Sequence, residues 1–279
     1  MVDTMPGGVV DHQRALAMAS ATLAIAGLAL ACEPTVVIGT CAAPAQDAGA
    51  AGASGSPNGT VTLPWSTGFE DGWCGFQSAQ GYCYARHDAT LEIVREPVHS
   101  GKFAAAFSVN GVATTADRSQ TRCVRQGAMP RSAYYGAWYR IPTAHTSDGN
   151  WNLFHFLGGV SESDSKPLWD VSIESDTDGK LQLTLLNFFN NVHRPASGVP
   201  ALPLDTWFHI EIQIIRSAQA NGQVTVLQNG VLAMQVTNTI TDDTDWGQWY
   251  VGNYAREIVP TLSKVYVDDV TIREEPWPL

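Results

Sequence analysis

Positive charge is what this sequence has least of. Its 16 Lys and Arg stand against 27 Asp and Glu, a formal net charge of −11 over 279 residues. Nucleic-acid binding and general binding of anionic surfaces call for the opposite balance, so neither class fits. Charge of either sign is thin, at 15% of residues, while 44% are hydrophobic, enough for a sizeable core. Cysteine is sparse: five residues, with no C-x-x-C and no His/Cys cluster suggesting zinc. After residue 60 there is no persuasive helical period and no internal repeat. Tryptophan, with nine residues, is plentiful for this length. That length suits one large β domain or two small ones. The few cations are clustered, with Arg118, Arg122, Arg125, Arg131 and Arg140 in one short span. An acidic chain can still hold a local basic site; the competing expectation is that these arginines pair with surface carboxylates.

Residues 15–31 are an uncharged Ala/Leu-rich run ending at Cys32. Its length fits a signal h-region and is short for a membrane span. L-A-L-A-C resembles a bacterial lipobox, which implies export and a lipid on Cys32 as the sole membrane attachment. Ala29 stands where Leu is usual and Arg14 is the only basic side chain ahead of the run, so ordinary secretion is the alternative, with a retained anchor third. Residues 33–60 are rich in Ala, Gly, Ser and Pro with no apolar period, the composition of a flexible linker. The expected organisation is a signal segment over 1–32, a linker over 33–60 and one folded domain over 61–279. With Cys32 lipidated, Cys41, Cys74, Cys83 and Cys123 remain for an oxidising compartment. Cys74 and Cys83 flank a loop that a disulfide could close, leaving Cys123 to Cys41, but all three pairings stay open.

From about Val61 onward, short alternating segments are separated by Gly, Asn, Asp and Pro. T-L-E-I-V, F-A-A-A-F-S-V, R-S-Q-T-R-C-V, Y-G-A-W-Y-R-I, N-L-F-H-F-L, W-D-V-S-I-E, L-Q-L-T-L-L-N, F-H-I-E-I-Q-I-I, Q-V-T-V-L-Q-N, L-A-M-Q-V-T, Q-W-Y-V-G-N-Y and V-Y-V-D-D-V-T-I all read as strands. D-T-D-G-K and Q-N-G-V read as turns, the second as a tight hairpin. Many strands without helices predict an all-β, two-sheet antiparallel sandwich of jelly-roll type.

G-F-E-D-G-W, S-G-K-F-A-A-A-F, L-P-L-D-T-W-F-H-I-E-I-Q-I and V-Y-V-D-D-V-T-I, in that order, resemble the concanavalin A-like lectin/glucanase jelly roll. Within that fold the chain resembles the alginate-lyase branch. That branch carries R-S-E-L-R, Q-I-H and Y-F-K-A-G-x-Y-x-Q on three strands lining a concave face. Here stand R-S-Q-T-R at Arg118 to Arg122, L-F-H at Leu153 to His155, and Q-W-Y-V-G-N-Y-A-R at Gln248 to Arg256. Arg118, Arg122, His155, Gly252 and Tyr254 agree; Gln120, Leu153, Tyr250 and Arg256 depart. Strand alternation puts Arg118, Gln120 and Arg122 on one face, and Gln248, Tyr250, Gly252, Tyr254 and Arg256 on one face.

The resemblance implies a polysaccharide lyase cleaving a uronate-containing glycan by β-elimination. The chemistry asks for these residue types. An Arg or amide neutralises the uronate carboxylate and acidifies the neighbouring proton. A His or Tyr takes that proton, and a Tyr hydroxyl can return one to the leaving oxygen. The catalytic candidates are therefore Arg122, His155 and Tyr254. Arg118, Gln120, Asn152, Gln248, Tyr250, Arg256, Trp138 and Trp151 are the substrate-binding candidates, with Asn152 or Gln120 standing in for the Gln absent at Leu153. No cofactor is required.

Two other classes stay open. W-D-V-S-I-E resembles the E-x-D-x-E strand of the glucanases, making Asp170 and Glu174 candidate hydrolase carboxylates. A retaining mechanism needs carboxyl groups ~5–5.5 Å apart, whereas positions i and i+4 of a regular strand lie ~13 Å apart, so a bulge would be required. A non-catalytic lectin would instead stack sugars on Trp138, Trp151, Trp246, Trp249, Tyr134 and Tyr139, although many of these must be core. Glu70, Asp71, Asp268 and Asp269 lie near the two ends of the domain, and their hard oxygens would suit a structural calcium; plain surface carboxylates are the simpler expectation.

Overall fold

The computed structural model describes residues 36–37, 62–77, 81–111, 119–159, 164–188, 192–242 and 244–278. They belong to one compact unit, Thr35–Leu279. The signal run, Cys32, most of the linker and Arg118 lie outside the described residues. No described helix is long and apolar enough to cross a membrane.

Among the described residues, sixteen strands build two antiparallel sheets. The first sheet runs β1 (Val36–Val37), β3 (Gly81–Arg86), β6 (Ser119–Ala128), β15 (Trp246–Ala255), β8 (Asp148–Gly159), β9 (Ser165–Ser175), β10 (Leu181–Asn187), β11 (Val192–Pro195). The second runs β14 (Val231–Thr239), β13 (Gly222–Gln228), β12 (Phe208–Ile215), β7 (Ser132–Arg140), β16 (Leu262–Arg273), β5 (Ala104–Asn110), β4 (Thr90–Val94), with β2 (Trp65–Thr67) also on β16. One short helix, α1 (Cys74–Gln77), was not anticipated. Nor were β1, β2, β3 and β11, which are two, three, six and four residues long; β1 falls in the stretch expected to be a linker.

The two inner faces interleave aromatic and branched side chains, as a sandwich requires. Tyr135 of the second sheet meets Phe156 edge-on at 4.9 Å and Trp249 at 5.2 Å, both from the first. Trp151, Trp169, Trp249, Tyr139 and Phe154 are almost wholly enclosed. The Asn229-Gly230 turn has φ of 49° and 75°, the left-handed pair a two-residue hairpin needs. Gly179, with φ of 78°, closes the Asp176–Lys180 turn as expected.

The disulfide joins Cys83 to Cys123, register partners on β3 and β6. This rules out the Cys74–Cys83 loop. Cys74 is also disulfide-bonded, with a partner outside the described residues.

Candidate functional site

The site lies on the face of the first sheet turned away from the core. Three adjacent strands carry it, in the order β6, β15, β8. Alternation sends Thr121, Cys123 and Arg125 of β6 inward, leaving Gln120, Arg122 and Gln126 outward. On β15 Trp249, Val251 and Asn253 point inward, so Gln248, Tyr250 and Tyr254 point outward.

Gly252 explains how these strands cooperate. It is the register partner of Arg122. A Cβ there would sit 2.3 Å from the Thr121 carbonyl oxygen, so only glycine fits. The missing side chain leaves a gap between Tyr250 and Tyr254, and the Arg122 guanidinium occupies it. Its carbon lies 4.2 Å from the Tyr250 ring centre and 4.6 Å from that of Tyr254. Arg122 has no carboxylate partner among the described residues, and its Nε is buried without a hydrogen bond. Arg131 and Arg140 do pair with carboxylates, Asp245 and Asp205. Arg125 points into the sandwich instead, over Trp65 at 4.6 Å, and burial lowers its pKa to about 10.

The third strand reaches the same face by a bulge. The β8 ladders shift register between Asn152 and Phe154, which turns Leu153 into the core and Asn152 outward beside His155. An amide thus faces outward one residue before the motif's position, at Asn152. Asn152 accepts a hydrogen bond from the Tyr250 hydroxyl at 2.7 Å and donates to Asp170 at 3.2 Å. Asp170 also bonds His155 Nδ1. The His155 ring stacks on Tyr250 at 5.0 Å and 21°. Tyr250 is therefore layered between Arg122 and His155.

Burial, and secondly the Arg122 charge, push the His155 pKa well below the ordinary imidazole value. Asp170 accepts the Nδ1 proton of the neutral ring, the tautomer that leaves the Nε2 lone pair available.

Several expected residues sit differently. Tyr250 is fully enclosed, and Asn152, Gln248 and His155 are 5%, 6% and 8% exposed, so only their edges reach the outward face. Gln248 is held by Gln126 at 2.9 Å. Trp151 is fully buried, its Nε1 donating to Asn253 at 2.9 Å, and cannot stack on a sugar. Trp138 belongs to the second sheet, on its outer face against His99 at 3.8 Å. Arg256 lies beyond the end of β15 beside Glu257. β7, between β6 and β8 in the chain, belongs to the other sheet and contributes nothing to this face. Asp170 is committed to His155 and Asn152, and Glu174 to His193.

Tyr84 was missed. It comes from β3, donates to Gln120 at 3.3 Å, and its ring lies 5.9 Å from the Arg122 guanidinium carbon. The alternation in Y-C-Y-A-R, with Tyr82, Tyr84 and Arg86 on one face, was the available signal.

The acidic residues at the two ends of the domain do meet one loop, but through donors. Glu70 accepts from the backbone of Lys102 and Phe103, Asp268 from His99 and Ser100, and Asp269 bonds the His99 ring and the Ser100 hydroxyl. Asp71 is exposed. Among the described residues no group of three or more acidic, His or Cys side chains is arranged for a metal ion.

Burial, opposed by backbone hydrogen bonds and reinforced by Asp269, raises the Asp268 pKa to about 6. Burial, aided by His99 and Arg273, lowers that of His209 to about 4. The Asp268 contribution is full below the unfolded value near 4 and is lost as pH rises through about 6. The His209 contribution is full above about 6.5 and is lost as pH falls through about 4. The two slopes oppose each other between about pH 4 and 6. Asp268→Asn should uncover the His209 slope, so that stability relative to wild type rises by roughly 2–3 kcal/mol across that window. Denaturant titrations at stepped pH check this; parallel curves for variant and wild type would refute it.

No protein-family model matches the chain, and no curated protein does. Solved structures do. An endo-β-1,4-glucuronan lyase from the fungus Trichoderma reesei superposes with a TM-score of 0.55 at 17% identity, covering 69% of this chain and 90% of that one. A cellulose-induced protein, Cip1, gives 0.55 at 16%, covering 77% and 99%. The alginate lyase Aly36B gives 0.50 at 9%, covering 77% and 94%. At such identities the likeness establishes the fold. The chain has the concanavalin A-like jelly roll that these polysaccharide lyases share.

Proposed function

We propose that this is an exported polysaccharide lyase that cleaves a uronate-containing glycan by β-elimination on the outward face of the first sheet. One observation carries the reading: a guanidinium without a carboxylate partner among the described residues, Arg122, lies across two tyrosines on the face that holds a neutral, oriented histidine. Arg122 would pair with the substrate carboxylate and draw charge from the neighbouring carbon. His155 Nε2 would take that carbon's proton. The electron pair left behind forms the carbon–carbon double bond and expels the glycosidic oxygen, which takes a proton from the Tyr254 hydroxyl. Burial makes His155 a weak base, and Asp170 compensates by stabilising the imidazolium as it forms.

Two of the three similar structures are lyases of uronate polymers, which supports the substrate class. The Cys83–Cys123 disulfide fits an oxidising compartment. Lipid attachment at Cys32 remains part of the reading.

Incubation with glucuronan and alginate should produce unsaturated uronate ends, read as rising ultraviolet absorbance. Binding without that rise, across a panel of uronate polymers, would make the protein a lectin. Reducing ends without unsaturation would make it a hydrolase and turn attention to Asp170 and Glu174.

A further inference from the structure

The second sheet carries a pocket that this chemistry does not use. Its volume is 330 Å³, and β2, β16 and the segment after β16 enclose it. Small-ligand sites begin at about 300 Å³, so there is room for one or two sugar rings. Ser66, Thr67, Asp269, Thr271, Arg273 and Trp277 are among its lining residues.

Trp277 forms a fixed aromatic wall. Its backbone N–H donates to the buried Glu211 carboxylate at 2.8 Å. Its ring packs beside His209 at 5.5 Å, and the Arg273 guanidinium carbon lies 5.3 Å from the ring centre. A platform held in place before binding costs little entropy to use.

The polar lining is mixed, and one part of it is unsatisfied. Thr271 is 3% exposed, yet its hydroxyl has no hydrogen-bond partner among the described residues. Beside it, both ring nitrogens of the fully buried His209 also lack partners among those residues. The two side chains flank Gly136, where a Cβ would lie 3.0 Å from His209 Nε2 and 3.2 Å from the Thr271 hydroxyl. A buried polar group without a partner is costly, and a hydroxyl-bearing ligand at Thr271 would offset that cost.

Asp269 accepts and Arg273 donates, the pair of functions that sugar hydroxyls need. Asp269 on the rim, with Glu211 and Asp268 behind it, disfavours an added carboxylate. We propose that this pocket is a second saccharide-binding site, taking a neutral pyranose unit and separate from the outward face of the first sheet. The proposal rests on the second sheet alone and is independent of the lyase reading.

The test titrates the full chain with neutral methyl pyranosides (glucoside, galactoside, mannoside, xyloside) by saturation-transfer NMR, with glucuronate as the acidic comparison. At least one neutral glycoside should bind saturably and more tightly than glucuronate. Trp277→Ala should weaken it at least about tenfold, as loss of an aromatic anchor does. Thr271→Val keeps shape and removes only the hydroxyl, and should weaken it severalfold even if Trp277→Ala fails to fold. Arg122→Ala should leave this binding unchanged, and Trp277→Ala should leave any uronate cleavage unchanged. No saturable neutral sugar, indifference to Thr271→Val, or loss in Arg122→Ala would each overturn the proposal.

Discussion

Tyr254→Phe is expected to lower turnover on a uronate polymer by about 10²–10⁴-fold, the usual contribution of a positioned acid–base group. The substitution removes one oxygen and keeps the ring. Tyr254 is half-buried, and its ring lies 4.6 Å from the Arg122 guanidinium carbon, a contact Phe preserves. The fold should therefore hold, with polymer binding little changed because Arg122 still meets the carboxylates. Circular dichroism and a binding titration separate the outcomes. Full activity in Tyr254→Phe, with a folded but dead His155→Ala, would leave His155 as the sole acid–base group. Full activity in both would show the site to be wrongly placed, and the likeness to lyases would then reach no further than the fold.

Arg122→Ala should fail differently. Binding and turnover should both fall, each by about 10–10²-fold, the range for losing a charged hydrogen-bonded contact. The salt dependence of affinity should flatten with the lost charge. A further signature comes from His155. Arg122 helps hold its pKa down, so removing that charge should move the pKa back toward the ordinary value. The acid limb of the pH–rate profile should then shift to higher pH. A purely structural role for Arg122 would lower the amount of folded enzyme without moving that limb. An unmoved limb and unchanged salt dependence would remove Arg122 from the proposed chemistry.

Much of the candidate site was legible because strand alternation is a local property. Gln120 and Arg122 share a face by period two alone, as do Gln248, Tyr250 and Tyr254. Alternation could not say which of those side chains a ligand would reach. Tyr250 and Gln248 face the right way yet lie beneath their neighbours. The bulge at Asn152 was invisible as well. The motif's amide position falls at Leu153, which lies in the core, and the register shift turns Asn152 outward instead. Trp151 and Trp138 looked alike as sugar platforms; one is enclosed in the core and the other faces out from the opposite sheet.

The sequence by itself determined the all-β character, the main strands, the Asn229-Gly230 hairpin and the alternation that aligns Arg122 with Gln120. Each follows from a few consecutive residues: apolar period, turn chemistry, the left-handed φ that Asn and Gly tolerate. Only the tertiary structure decided that β15 enters between β6 and β8, that β7 leaves for the other sheet, and that Cys83 pairs with Cys123. It alone put Asp170 behind His155 and slid Arg122 into the gap at Gly252. The placing of β15 depends on pairing across more than a hundred residues of chain, as of Tyr250 with Val124, while Cys83–Cys123 and His155–Asp170 span 40 and 15. Such pairing is settled by the joint burial of two inner faces, and no single segment carries that information.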